Sequence, residues 1–249
     1  NTKMTVGLSY DEKLLKQRID NLSCFDSNNI VEPKNPGFKY ADGKYAIIDE
    51  IPGNKIDKDI LYPHIADAIL NRQTEIDLES LGCYIKPRYD SKSPKITEIR
   101  DTLNKYVSSR VTYTFGDRQE TVDGFIINKW LSVDENYRII LNKQKVRDYL
   151  YELSKNYSTI GKTRTFTASS GETVNVGGGD YGRSIDVDEE AQNLIKDIEQ
   201  GKTVTKMPAY KQTAFYYGYN DIGDTYVEIN IEKQHIWFYN RIWLIIFLL

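Results

Sequence analysis

Covalent chemistry in a chain is limited first by its nucleophiles and imidazoles, and here there are two cysteines and two histidines in 249 residues. Cys24 lies in NLSCFD (21–26) and Cys83 in LGCYI (81–85). A reactive thiol needs a base or a positive dipole beside it, and neither stretch supplies one. No CxxC or Cys/His ligand cluster is present, so the sequence predicts no catalytic residue, no metal site and no cofactor. The two thiols could pair if the protein is exported, or could serve as small core residues. His64 falls where helical spacing makes it partly buried, and His235 falls in a strand near the end of the chain; both are read as structural.

Two other stretches carry possible binding chemistry. GGGDYG (177–182) satisfies G-x-G-x-x-G, but the βαβ unit that would aim such a loop at a pyrophosphate is missing. The glycines are therefore read as a bulge or wide turn, not as a nucleotide site. Around them lies a polar, turn-rich group: Lys162, Arg164, Thr167, Ser169, Ser170, Asp180, Tyr181 and Arg183. These residue types could form a groove for peptide or sugar groups, with Tyr181 stacking and the arginines holding carboxylates. Taken singly, each also fits an ordinary solvated hairpin. The candidate binding set is Arg164, Thr167, Ser169, Ser170, Asp180, Tyr181 and Arg183, with Trp130 read as a core anchor rather than a sugar platform.

The elements that must position these residues appear when the chain is compared with itself. Phe38 and Gly43 match Phe166 and Gly171; Gly53, Ile56 and Asp57 match Gly182, Ile185 and Asp186; Ile65, Ile69 and Thr74 match Leu194, Ile198 and Thr203. Upstream, Leu15, Ile19 and Leu22 lie over Val146, Leu150 and Leu153. Each copy reads as a helix with three- and four-residue apolar spacing (Leu14, Leu15, Ile19, Leu22; Val146, Tyr149, Leu150, Leu153), then a hairpin. The hairpins turn at Asp42-Gly43 and Ser170-Gly171. Gly53 or Gly182 then makes a tight turn, and Asp57 or Asp186 caps a second helix over 58–71 or 187–200. Short extended pieces follow at TEIDL (74–78) and TVTKM (203–207). Between the copies, KPRYDSKSP (86–94) reads as a linker or long loop; a helix over 96–109, a strand over 110–115, a Gly-Asp turn and an apolar stretch ending at Trp130-Leu131 preface the second copy. MTVGLSY (4–10) lies where YRIILNK (137–143) lies in that copy, as if the first began inside its own preface. The predicted class is α+β, two repeated helix–hairpin–helix units with small, mostly antiparallel sheets backed by helices.

Composition narrows the partners. A net charge of −3 and a pI near 5.6 lack the basic stripe that a phosphate-backbone binder needs, so nucleic acid is excluded as a partner. Nineteen tyrosines suit half-buried sheet faces and also sugar or peptide contact. No run of about twenty apolar residues is present, and IWLIIFLL (242–249) is too short to span a bilayer as a helix. Unless that tail pairs with a sheet, it is an exposed, aggregation-prone segment. The NTKMTV start reads as though cut from something longer.

YSTIGKTRTFTASSGETVNVGGGDYG (157–182) resembles the peptidoglycan-binding domain found in front of L,D-transpeptidase catalytic domains of the YkuD type and in VanW-like proteins. NDIGDTYVEINIEKQHIWFY (220–239) is similar to the first strands of that catalytic domain. One departure is Arg183, where the family pattern calls for tryptophan after Tyr-Gly. In the family, the cysteine of a Ser-His-Gly-Cys motif attacks the peptide stem of peptidoglycan, expels the terminal D-alanine and passes the acyl group to an amine. That motif does not occur here, and His235 belongs to an early strand.

The resemblance implies a first binding unit at 1–92, a second at 93–213, and the start of a catalytic domain at 214–249 ending in an aberrant tail, as a frameshift or truncated gene product would. The function it implies is a non-catalytic, wall-binding region of an exported protein of a Gram-positive bacterium, with peptidoglycan (glycan or stem peptide) as partner. A spacer that touches no wall component is the alternative. The strands over 226–239 should then be thinly supported, or should pair with a second molecule.

Overall fold

Asp57 and Asp186 each stop one segment and start a helix. The Asp57 side chain accepts from the Asp59 amide at 3.0 Å, and that of Asp186 accepts from the Asp188 and Glu189 amides at 3.2 and 3.0 Å. Each carboxylate satisfies amides that have no partner within the helix and sits at the positive end of its dipole. The computed structural model describes residues 9–217, 221–240 and 243–248; the stretch 4–8 compared above with the second preface lies outside them, as do Asn220, Arg241, Ile242 and Leu249. The chain divides into two units, Asn1–Asp101 and Thr102–Leu249.

The first unit carries α1 (Glu12–Asp20), a hairpin of β1 (Gly37–Ala41) and β2 (Lys44–Ile48), and α2 (Lys58–Leu70). The hairpin pairs in antiparallel register from Gly37↔Ile48 to Ala41↔Lys44. Both turn residues, Asp42 and Gly43, have positive φ, which matches the twist of the strands. Ile19, Ile56, Leu61 and Cys83 form the buried centre, with Leu15 packed against it. The predicted apolar stripe on α1 is only half used, since Leu14 and Leu22 are exposed. Leu22 is lost to the stripe because the helix stops first: Asn21 is the C-cap, so Leu22 lies beyond the last turn.

The boundary between units falls within α3 (Pro94–Val107), which begins two residues before the predicted start. The second unit continues with β3 (Arg110–Phe115), β4 (Arg118–Val122), α4 (Gly124–Ile127), β5 (Leu131–Val133), β6 (Ile139–Leu141) and α5 (Lys143–Tyr157). After these come β7 (Arg164–Thr167), β8 (Thr173–Val176), β9 (Ser184–Ile185), α6 (Val187–Gln200), β10 (Thr203–Lys206) and β11 (Tyr210–Gln212). The main sheet has the order β10-β3-β4, with β10 parallel and β4 antiparallel to β3. α5 packs on α6, and α6 on β3. Leu103, Val111, Tyr113, Val122, Ile127, Val146, Leu150, Leu194 and Ile198 are buried in this unit, and Trp130 is 6% exposed, as a core anchor should be.

A polar network inside this core fixes β10. Tyr113 Oη donates to Glu190 at 2.7 Å, the other Glu190 oxygen accepts the Ala209 amide at 2.8 Å, and Lys206 pairs with Glu190 at 2.8 Å and Asp197 at 2.9 Å. Here the two extended pieces part company. Of TVTKM (203–207), residues 203–206 form a strand because β3 offers an edge, whereas TEIDL (74–78) is not a strand.

Three further strands, β12 (Tyr226–Asn230), β13 (His235–Asn240) and β14 (Trp243–Leu248), form an antiparallel meander. The backbone of the apolar tail therefore pairs with a sheet. The support expected to be thin comes from the β7–β8 hairpin of the same chain. Phe166 meets Tyr226 edge to face at 5.3 Å, and Ser169 bonds Glu228 and Tyr239. Among the described residues there are six α-helices and several small sheets, a mixed α+β architecture, and no helix long and apolar enough to cross a membrane.

Candidate functional site

Gly182 sets the geometry around the predicted cluster. Its φ is +143°, and a Cβ there would lie 2.5 Å from the Ile160 amide nitrogen, so only glycine lets 177–183 lie against 159–160. Gly53, which aligns with it when the sequence is compared with itself, is confined in the same way by φ +70° and the Val31 carbonyl. With the backbones this close, Arg183 donates its amide to Thr159 Oγ1 at 2.8 Å, and the Thr159 amide donates to the Arg183 carbonyl at 2.9 Å.

Arg164 occupies the middle of this frame. It is 8% exposed and forms a two-pronged pair with Asp221, which is 0% exposed: Nε donates to Oδ1, and Nη2 to Oδ2 at 2.9 Å. Its remaining donors reach the carbonyls of Lys162 (2.9 Å), Thr159 (3.0 Å) and Tyr181 (3.3 Å). Asp221 also accepts from Thr159 Oγ1 at 2.7 Å, and its carbonyl accepts from Tyr181 Oη at 2.6 Å. Burial works against the charged form of Asp221, but the hydrogen bonds from Arg164 and Thr159 outweigh it and hold the carboxyl below its ordinary range. This guanidinium is spent on the protein's own backbone and a buried carboxylate. Its role in the site is to hold walls in place.

The walls enclose a cavity of about 440 Å³. On one side Phe115 and Tyr157 stack with centroids 3.7 Å apart, and the Arg118 guanidinium lies over the Tyr157 ring, 4.7 Å from its centroid. Burial and a 2.8 Å hydrogen bond to Glu120 push the Tyr157 phenol above its usual pKa, so it stays neutral. Elsewhere Arg183 lies over the Tyr217 ring at 3.5 Å, and Lys162 lines the mouth with Asp117.

The predicted cluster thus divides. Arg164, Tyr181 and Arg183 belong to the frame, and of these Arg164 and Arg183 also line the cavity. Thr167, Ser169 and Ser170 lie at the far end of the β7–β8 hairpin, where Ser169 bonds Glu228 through its amide at 3.0 Å and its hydroxyl at 2.6 Å, and Ser170 reaches Glu172 at 3.4 Å. Asp180 is exposed, and its carbonyl accepts from Gln212 at 2.8 Å. Sequence reasoning missed Arg118, Tyr157, Tyr217 and Asp221. A G-D-R turn at 116–118 was the one local signal that a basic side chain is presented here.

The thiols are in another unit. Cys24 is exposed, Cys83 is buried, and both are free. Burial, with the Asp57 charge nearby, pushes the Cys83 thiol up, away from a nucleophile's range. His235 stacks on Trp237 at 5.4 Å, and its Nδ1 meets the Lys233 carbonyl. Among the described residues no group of three or more His, Cys, Asp or Glu is placed to hold a metal ion.

Compared with known families, residues 1–77 and 89–206 match the one described as "Putative peptidoglycan binding domain". The chain belongs to this family. Two solved structures are similar to it: the Ldtfm–avibactam carbamoyl enzyme, at 27% identity and a TM-score of 0.44 over 58% of this chain and 56% of that one, and a cysteine-to-serine mutant of Enterococcus faecium L,D-transpeptidase, at 26% identity and a TM-score of 0.43 over 59% of each chain. This chain thus spans a little over half the length of either. No curated protein sequence matches it. The family match takes in the frame from Thr159 to Arg183 and the β10 strand, and stops short of Asp221.

Proposed function

We propose that this chain is the wall-binding part of an L,D-transpeptidase-like protein of the bacterial exterior, that it does no bond chemistry itself, and that it positions a transpeptidase domain on peptidoglycan. Membership of the peptidoglycan-binding family over most of the chain carries the reading. The match in two segments, 1–77 and 89–206, supports two copies of one unit, as do the paired glycines and helix-capping aspartates. The state of the thiols agrees with a binding role: Cys83 is buried and disfavoured as a thiolate, and Cys24 stands alone on the surface. Tethering a catalytic domain to its polymer raises the local substrate concentration without any new contact at the catalytic centre.

The test is co-sedimentation of the full chain with insoluble peptidoglycan sacculi across a salt series. The chain is expected in the pellet at low salt. Failure to pellet at any salt concentration leaves the spacer role and removes wall binding.

A further inference from the structure

The cavity holds more positive charge than it neutralises. Arg164 and Asp221 cancel each other. That leaves Arg118, Lys162 and Arg183 against Asp117 at the rim. Among the described residues, neither Arg118 nor Lys162 has a carboxylate partner. Arg183 is 4% exposed; its Nη2 donates to the Ala214 and Tyr216 carbonyls at 3.2 Å each, while its Nε, also buried, has no partner. A buried donor left over, beside two unpaired cations and a stacked aromatic wall, is an arrangement completed by an anion with an apolar body.

We propose that this cavity binds the terminal carboxylate of a short peptide. Arg118 and Lys162 supply charge-assisted hydrogen bonds to its oxygens, and the Phe115, Tyr157 and Tyr217 rings cover the residue that bears it. The proposal rests on the wall-binding reading, because the stem peptide of peptidoglycan ends in such a carboxylate. A volume of about 440 Å³ suits a peptide end of two or three residues. A neutral glycan would leave both cations without a counter-charge. The Asp117 carboxylate at the rim disfavours a multiply charged phosphate polymer more than a single carboxylate.

The experiment titrates the full chain, by calorimetry, with diacetyl-lysyl-D-alanyl-D-alanine as the free acid and as its C-terminal amide. Inorganic phosphate and an N-acetylglucosamine oligomer are run as separate arms. The acid is expected to bind roughly tenfold or more tighter than the amide, with affinity falling as salt rises, and the double variant R118Q/K162Q should lose that preference while keeping its circular dichroism spectrum. Both replaced residues are exposed and neither makes an ion pair among the described residues, so the spectrum is expected to be retained. Equal binding of acid and amide, no binding of the acid, displacement by phosphate at equal concentration, or tighter binding of the sugar oligomer each overturns the proposal. Sacculi separate the two conclusions. If the wild-type chain pellets but does not distinguish acid from amide, wall binding stands and the carboxylate site falls. If the acid is preferred and sacculi are not bound, the site stands and the wall-binding reading falls.

Discussion

Replacing Asp221 by asparagine removes one charge from a pair that solvent hardly reaches. In the wild type, Arg164 and Asp221 are 8% and 0% exposed, and Asp221 takes two guanidinium bonds and one from Thr159. D221N leaves a buried cation without its counter-charge, a change that costs about 3–5 kcal/mol in proteins. The lower end applies here, because three carbonyls at 2.9, 3.0 and 3.3 Å still accept from Arg164. A loss of about 3 kcal/mol corresponds to a fall of roughly 6–12 °C in the melting midpoint of a chain this size. Calorimetry at neutral pH reads it, and the double variant R164M/D221L, which removes both charges, should recover much of the loss. The pH dependence has a definite sign. The folded-state pKa of Asp221 is depressed, so its contribution is present above the unfolded carboxyl value, about 3.9, and is lost as pH falls through the lower folded value. In D221N that acid-side loss should be missing. A drop below about 1 kcal/mol, with an unchanged acid limb, would refute the argument that this pair holds the frame together.

Two further outcomes follow from the same structure. Gly182→Ala forces a Cβ to within 2.5 Å of the Ile160 nitrogen at a φ that alanine avoids, so it should destabilise by roughly 2 kcal/mol or more, whereas Gly171→Ala, at an open hairpin turn, should cost about 1 kcal/mol; urea unfolding of both variants checks the contrast. In the native chain Cys24 should react promptly with a thiol reagent and Cys83 only after unfolding, and incubation with a carbapenem should leave the intact mass unchanged; a covalent adduct on either cysteine would overturn the non-catalytic reading.

What could be read from the sequence was what neighbouring residues decide. The helix starts at Lys58 and Val187 follow from Asp57 and Asp186, and the hairpins follow from Asp42-Gly43 and Ser170-Gly171, because caps and turns are local. β3 likewise runs from Arg110 to Phe115 as its alternating pattern indicates. The differences are tertiary in origin. Leu14 looks like a core residue by spacing and is 51% exposed, since none of the described residues of its unit covers that face of a short helix. Residues 74–78 match 203–207 in pattern yet form no strand, because pairing needs an edge such as β3. In the site, Arg164 and Arg183 were visible as arginines in a polar stretch. Their burial was not, because the group that neutralises Arg164 lies 57 residues further along, and the Arg118 and Tyr157 wall is assembled from segments with no sequence relation to the glycine-rich turn.

The parallel pairing of β10 with β3 also has a consequence for how the second unit comes into being. Thr114 and Lys206, joined across that pair, are 92 residues apart, and the Glu190–Lys206–Asp197 cluster that locks the strand comes from the same late stretch. As the chain emerges N-terminus first, the β3–β4 hairpin is complete long before its other edge can be covered. Closing so long a loop is slow, and until it closes β3 offers a row of open amides and carbonyls to any passing strand. For this unit the interval between the emergence of Phe115 and of Lys206 is therefore the one in which the open edge of β3 is most exposed to pairing with another chain.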